Sequence, residues 1–151
     1  MAQYWAEFAL WEALLNEKPY DSIVELGTWQ GGFALWLSAQ AEARGMGFRT
    51  YDIKPPEHRV PGFVCVDIYA LAGEVGEHLR RHDPVIVFCY GGNKPRELRT
   101  FSRYVTPEST LVVHDWETEM LPSDVPDNVE MIHEDLCLDL GSACRVFRVV
   151  A

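Results

Sequence analysis

The stretch Glu25-Leu26-Gly27-Thr28-Trp29-Gln30-Gly31-Gly32 decides the fold of this chain. It follows a short apolar run that begins at Ser22, and it opens a helical pattern that continues to about Arg44. A glycine-rich turn between a strand and a helix is typical of nucleotide-binding loops. Glycine lets the backbone turn sharply there and approach a ligand without a Cβ in the way. The stretch therefore predicts the first strand, loop and helix of an α/β sheet protein.

The rest of the chain repeats the same order of strand and helix. Strands are predicted at 22–27, 48–52, 63–67, 84–90 and 110–115, and helices at 2–16, 32–44, 69–81 and 94–104. This alternation predicts a doubly wound, Rossmann-like sheet that is mostly parallel. Two further runs, 128–133 and 144–150, have no long helical pattern between them and predict an antiparallel C-terminal hairpin. With 151 residues and no linker-like composition, residues 1–151 are predicted to form a single domain.

The charge balance excludes several classes of partner. The chain has 13 Lys and Arg against 23 Asp and Glu, a formal net charge of −10 at pH 7. This field disfavours nucleic-acid phosphates and anionic membranes, and it favours a neutral or cationic small molecule.

No apolar run reaches the roughly 18 residues that cross a bilayer, and the first residues lack a signal-peptide pattern. The four cysteines form no C-x-x-C pair, which excludes a zinc ribbon and a thioredoxin-type motif. Since Cys65 and Cys89 lie in apolar strand patterns, we expect reduced thiols and a cytoplasmic location.

Acidic residues stand at four of the five predicted parallel strand ends. In a doubly wound sheet, ligands bind outside the carboxyl ends of the strands. The residues at these ends are Glu25 and Gly27, Asp52, Asp67, Cys89 and Tyr90, and His114 and Asp115. An acid at Glu25 would repel a phosphate and attract an ammonium or sulfonium group. Trp29 stands where a dinucleotide-binding loop carries its second glycine. The pattern thus favours a cationic ligand over a nicotinamide cofactor, and an oxidoreductase is the less favoured alternative.

On these residues, the sequence resembles the class I S-adenosylmethionine-dependent methyltransferases, whose first motif is acid-x-Gly-x-x-x-Gly. The resemblance covers nearly the whole chain. It implies that Asp52 holds the ribose hydroxyls and that Asp67 and Ile68 contact the adenine. The full set of cofactor-binding residues that it implies is Glu25, Gly27, Thr28, Trp29, Gly31, Asp52, Ile53, Asp67, Ile68, Cys89 and Tyr90.

Two later motifs are more specifically similar to the cephalosporin hydroxylase and rhamnosyl O-methyltransferase group. They are Tyr90-Gly-Gly-Asn-Lys and Val113-His-Asp-Trp. That group usually has Asp-Gly-Gly after the fourth strand and an acidic pair after the fifth, where some members hold a divalent metal. Here Tyr90 and His114 replace two of those acids, and a phenol is a poor ligand for a hard cation. We therefore predict no metal, with His114 and Asp115 as the alternative pair of ligands for a softer one.

The resemblance implies a methyltransferase that uses S-adenosylmethionine to methylate an oxygen or nitrogen of a small molecule. His114 is the predicted general base, because histidine exchanges protons near neutral pH, and Asp115 is the second candidate. Lys94, at the start of a helix, is predicted to be solvated. The alternatives left open are a cofactor-binding module that has lost catalysis, as Tyr90 suggests, and a partner-binding domain that uses the fold alone. A homodimer is predicted because the first helix carries more aromatic residues than one sheet face needs, namely Tyr4, Trp5, Phe8 and Trp11.

Overall fold

Strands and helices alternate along the chain in the computed structural model, which describes residues 5–151. In chain order the elements are α1 (Trp5–Glu17), β1 (Ser22–Leu26), α2 (Gly32–Ala43), β2 (Gly47–Asp52), β3 (Phe63–Cys65), α3 (Ala72–Arg81), β4 (Val85–Cys89), α4 (Lys94–Phe101), β5 (Thr110–Val113), β6 (Val129–Ile132), α5 (Glu134–Leu140) and β7 (Arg145–Val149). Tyr4, which belongs to the predicted first helix, lies outside the described residues. Each helix within residues 5–151 is too short or too polar to cross a bilayer.

All seven strands form one sheet, in the order β3-β2-β1-β4-β5-β7-β6. The first five of these strands pair in parallel, and β7 pairs antiparallel with both β5 and β6. The Rossmann-like, mostly parallel sheet with antiparallel C-terminal strands is therefore confirmed. From β1 the chain first moves outward to β2 and β3, and then returns to the other side of β1 as β4. This reversal opens a crevice at the carboxyl ends of β1 and β4, which is where a doubly wound sheet binds ligands.

The connection between the last two strands is longer than a hairpin turn. It contains α5, a helix of 7 residues that the sequence pattern did not predict. The helix begins after His133 and ends at Gly141, both of which have left-handed backbone conformations. Because Cys137 is the one fully buried residue of α5, the helix is too short and too little buried to produce a recognisable apolar period.

The two central strands distribute their side chains between two apolar layers. Every residue of β1 and β4 is buried. Alternate residues point to opposite faces, because side chains alternate along a strand. Val24 and Val87 join a cluster with α3 and α4, whereas Ile23 and Phe88 join a cluster with α1, α2 and α5. Because helices cover both faces of the sheet, the carboxyl ends of these central strands are the part that stays accessible to a ligand.

The aromatic side chains of α1 find most of their partners within the chain. Trp11 is fully buried, with its ring 5.1 Å from that of Phe88. The ring of Phe8 lies 5.0 Å from that of Trp36, and Trp5 is 84% exposed. Intramolecular packing thus accounts for part of the aromatic excess on which the homodimer was predicted, and the homodimer stays a prediction.

Candidate functional site

The loop after β1 forms the centre of the crevice. Gly27 has a φ of 100°, and its N–H donates to the carbonyl of Tyr51 at 2.8 Å. A Cβ at Gly27 would lie 2.5 Å from both Cα and N of Gly91, in the loop after β4. These distances allow no side chain at position 27, because real Cβ atoms do not approach backbone so closely. The two loops therefore touch, and together they form the floor of the site.

Glu25 lies beneath this loop. Its side chain is fully buried, and its Oε2 accepts a hydrogen bond from the Thr50 hydroxyl at 2.6 Å. The Thr50 hydroxyl is in turn 2.6 Å from that of Thr28. Burial raises the pKa of Glu25 to about 8. At neutral pH this carboxyl is therefore mostly protonated, and it supports the loop from below instead of presenting a charge to a cation.

The burial of Glu25 predicts how the free energy of unfolding changes with pH. The unfolded chain releases the Glu25 proton near the ordinary pKa of 4.5, whereas the folded chain keeps it until about pH 8. Between these values the unfolded state binds fewer protons, so the folded state loses stability as the pH rises. One such group contributes up to about 1.4 kcal/mol per pH unit. We expect Glu25→Gln to reduce the slope of unfolding free energy against pH, as measured by urea denaturation across this range.

The matched control is Glu130→Gln. Glu130 is a surface residue of β6 that pairs with Arg148 at 2.5 Å. Loss of the Glu130 carboxylate should leave the slope of unfolding free energy against pH nearly unchanged, because an exposed ion pair contributes little to stability. Glu97, whose pKa is raised to about 7 by burial, contributes to the slope of every variant alike. Equal slopes in wild type and Glu25→Gln would contradict the prediction.

Two aspartates stand beside the crevice at the ends of β2 and β3. The carboxylate of Asp52 accepts the N–H groups of Trp29 at 2.9 Å and Lys54 at 3.1 Å. Asp52 thereby ties the loop after β1 to the end of β2. Asp67 lies two residues beyond the observed end of β3, and its Oδ1 accepts the N–H groups of Tyr69 at 2.8 Å and Ala70 at 3.2 Å. Both carboxylates are oriented by backbone donors.

Two adjoining cavities open at these strand ends. The first has a volume of about 310 Å³ and is mainly apolar. The residues predicted from the sequence that line it are Gly27, Asp52, Ile53, Asp67 and Ile68. The second has a volume of about 590 Å³. The residues predicted from the sequence that line it are Gly27, Trp29, Asp52, Tyr90, His114 and Asp115. Gly27 and Asp52 belong to both cavities, as do Gly91 and Gly92. Of the remaining predicted residues, Glu25, Thr28, Gly31 and Cys89 line neither of these two cavities.

The second cavity contains a histidine between aromatic and acidic groups. His114 is 6% exposed, and its Nδ1 lies 2.8 Å from Oδ1 of Asp115. The ring of Tyr90 stands edge-on to the imidazole, with the ring centres 5.1 Å apart. Glu7 and Cys144 also lie close to the imidazole, since one ligand atom of each and a ring nitrogen of His114 are within 4.8 Å of one another. The structure thus brings the two predicted catalytic residues together, with the imidazole flanked by carboxylates.

Lys94 is buried, so the prediction that it is solvated is wrong. Its Nζ lies 3.0 Å from Oδ2 of Asp115 and 2.5 Å from Oε2 of Glu119. Burial disfavours the charge of both Lys94 and Asp115, but their pairing outweighs it, since the pKa of Lys94 is raised and that of Asp115 is lowered. Sequence reasoning missed Glu119 because it lies 25 positions from Lys94, with no local spacing to connect them.

Glu97 is the second residue that the sequence did not indicate. It is 1% exposed, and its carboxylate accepts the N–H groups of Gly91 at 3.2 Å and Asn93 at 3.4 Å. These bonds hold the loop after β4 against α4. Glu97 also lines the first cavity. In the sequence, Glu97 is an acid in a polar helix, and only its burial in the folded protein distinguishes it from a solvated residue.

The residues around Asp115 do not fit a magnesium ion. Magnesium prefers several oxygen ligands, usually carboxylates and water. Here the carboxylates of Asp115 and Glu119 already face the Lys94 ammonium. Tyr90 and His114, the other side chains at the two strand ends, offer a phenol and an imidazole. The carboxylate oxygens that magnesium would need are therefore engaged by the lysine, and the residues present do not suit a magnesium ion at this place.

No protein-family model matches the sequence, and no curated protein matches it significantly. Several solved structures nevertheless share its fold. The apo structure of CmcI-N160 matches with a TM-score of 0.74 and 18% identity, over 100% of this chain and 73% of that one. CmcI-D160 with Mg and S-adenosylmethionine matches with a TM-score of 0.67 and 18% identity, over 100% of this chain and 74% of that one.

A second protein gives a similar result. A point mutant of MtNAS, in complex with S-adenosylmethionine, matches with a TM-score of 0.64 and 14% identity. The match covers 97% of this chain and 62% of that one. The chain therefore spans about three-quarters of CmcI and less than two-thirds of MtNAS. At these identities the likeness is one of fold, and the fold is that of proteins crystallised with S-adenosylmethionine.

Proposed function

We propose that this chain, which has the fold of CmcI, is an S-adenosylmethionine-dependent methyltransferase that acts on a small molecule. The observation that carries the proposal is the arrangement of Asp52, Asp67 and Ile68 around one cavity at the switch point of the sheet. An acid after β2 suits a ribose diol, and an acid with an apolar neighbour after β3 suits an adenine. The S-adenosylmethionine complexes of CmcI and MtNAS support the same cofactor.

The first cavity supplies what the nucleoside part of the cofactor needs. The Asp52 carboxylate is fixed by two backbone donors, so it is oriented before a ligand arrives. Such preorganisation lowers the entropy lost on binding. Ile53 and Ile68 offer apolar surface for a base ring, and both line this cavity. Gly27 lets the sulfonium end of the cofactor pass close to the backbone on the way to the second cavity, which Gly27 also lines.

The second cavity is where we place the methyl acceptor. S-adenosylmethionine, when bound, supplies an electrophilic methyl group on a sulfonium. The residues of this chain have to orient the acceptor oxygen or nitrogen and remove its proton. His114 lines the cavity, and a neutral imidazole takes a proton at a ring nitrogen. Its neighbour Asp115, 2.8 Å from Nδ1, would stabilise the imidazolium that forms. The acids of this cavity favour a neutral or cationic acceptor.

Calorimetric titration with S-adenosylmethionine and S-adenosylhomocysteine tests the proposal. We expect both to bind with a dissociation constant on the order of micromolar, a free energy of about −8 kcal/mol. Titration with NAD serves as the control for the oxidoreductase alternative and should give no heat of binding. A folded protein that binds neither sulfur compound would overturn the proposed function and leave only the fold.

A cofactor-binding module without catalysis is the second candidate. The observation in its favour is Tyr90, which occupies a strand end of the acceptor cavity and packs against His114. The two candidates differ in the release of S-adenosylhomocysteine when a panel of small hydroxyl and amine compounds is added. Release that is lost in His114→Ala, while the cofactor still binds, would identify an enzyme with His114 as its base. Binding without release over the whole panel would favour the module.

A further inference from the structure

The Lys94 ammonium lies among three oxygen atoms from separate parts of the chain. Its Nζ is 3.0 Å from the carbonyl oxygen of Gly91, 3.0 Å from Oδ2 of Asp115 and 2.5 Å from Oε2 of Glu119. The Lys94 side chain is only 4% exposed. A lysine ammonium has three N–H donors, so each donor has one oxygen partner here. The group is a buried cation with a complete set of oxygen neighbours.

The loop after β5 is folded so that both carboxylates face this cation. Asp115 has a φ of 58°, and its carbonyl accepts the N–H groups of Thr118, Glu119 and Met120. This tight turn brings Glu119 back beside Asp115. Two carboxylates held this close repel each other unless a cation lies between them. The turn and the lysine therefore depend on each other.

We propose that the Lys94 ammonium takes the place of a divalent cation at this edge of the sheet, so that the acceptor cavity works without a metal. The role of the cavity rests on the proposed function. Carboxylates and a backbone carbonyl are the oxygen ligands that magnesium and calcium take. Lysine engages the same oxygens with directed donors, and its charge repels a second cation. The similar structure of CmcI-D160 contains Mg and S-adenosylmethionine, whereas a lysine faces the two carboxylates of this chain.

Lys94 also acts on the histidine through Asp115. One carboxylate oxygen of Asp115 contacts Lys94 at 3.0 Å, and the other lies 2.8 Å from Nδ1 of His114. Since the ammonium holds the carboxylate in place, it fixes the position of the acid against the imidazole. Lys94 therefore reaches the proposed base only through its neighbour Asp115.

Titration with Mn²⁺ alone, followed by electron paramagnetic resonance of the free ion, tests the proposal. The wild type should bind Mn²⁺ no more tightly than the millimolar range, whereas Lys94→Ala should bind at least about tenfold more tightly because it frees the oxygen ligands and leaves room for an ion and its waters. Lys94→Arg is the control that keeps the charge, and it should show no gain. The double variant Lys94→Ala/Asp115→Asn should lose most of the gain, since it lacks one of the two carboxylates.

Two results would overturn the proposal. One is a wild type that binds Mn²⁺ as tightly as Lys94→Ala, and the other is a folded Lys94→Ala, by circular dichroism, that gains no affinity. If Lys94→Ala does not fold, thermal unfolding of the wild type tests the proposal by itself. Its thermal unfolding midpoint should be the same with Mn²⁺ as with EDTA, and a rise with Mn²⁺ would contradict the proposal. Because no S-adenosylmethionine is present in these measurements, their outcome is independent of the outcome for the proposed function.

Discussion

Replacement of Gly27 by alanine is expected to destabilise the fold by about 2–5 kcal/mol and to abolish cofactor binding. The φ of 100° at Gly27 is strained for any other residue, which costs about 1–2 kcal/mol. The added Cβ would also meet the backbone of Gly91 at 2.5 Å, and such overpacking costs about 1–3 kcal/mol. Since backbone cannot rotate away as a side chain can, the loops after β1 and β4 would have to separate. Urea denaturation and calorimetric titration with S-adenosylmethionine measure the two effects.

Gly45→Ala is the matched control for this experiment. Gly45 also has a positive φ, of 68°, but a Cβ there would have no atom within 4 Å. The control therefore carries the conformational strain alone, about 1–2 kcal/mol, and should leave cofactor affinity unchanged. Equal losses of stability and affinity in the two variants would show that the contact between the loops is not what position 27 provides.

Loss of the Asp52 carboxylate is expected to weaken S-adenosylmethionine binding by about 100-fold. Hydrogen bonds to a charged group contribute about 1.5–3 kcal/mol each, and about 2.7 kcal/mol corresponds to that factor. Asp52→Ala removes the proposed contact with the ribose diol and also the acceptor for the Trp29 N–H. Calorimetric titration of the variant, with its folding checked by circular dichroism, gives the change in dissociation constant.

Two further variants separate these contributions. Asp52→Asn keeps an oxygen acceptor for the Trp29 N–H but loses the charge, so we expect a smaller loss than in Asp52→Ala. Glu130→Ala removes a surface acid of β6 that lies outside both cavities, and it should not change the affinity. An Asp52→Ala protein that binds as tightly as the wild type would exclude a ribose contact at this residue.

The first half of the site could be predicted from the sequence because its residues are tied to strand ends. Gly27, Asp52, Asp67 and Ile68 each lie at the end of a predicted strand, and the ends of parallel strands meet at one edge of a sheet. The structure places all four around the first cavity. The same logic placed His114 and Asp115 together in the second cavity. Glu25 instead lies within β1, where its side chain is buried and accepts a hydrogen bond from Thr50, a residue 25 positions away.

The sequence by itself determined the order of the strands and of the first four helices, the parallel centre of the sheet and the edge at which its crevice opens. It could do so because apolar periodicity and glycine conformation are local properties. The charge state of the site was decided only by the tertiary structure. Burial raises the pKa of Glu25 to about 8, and the turn at Asp115 brings Glu119 within 2.5 Å of Lys94. Burial and ion pairing depend on residues far apart in the chain, so only the folded molecule shows that a lysine faces these carboxylates.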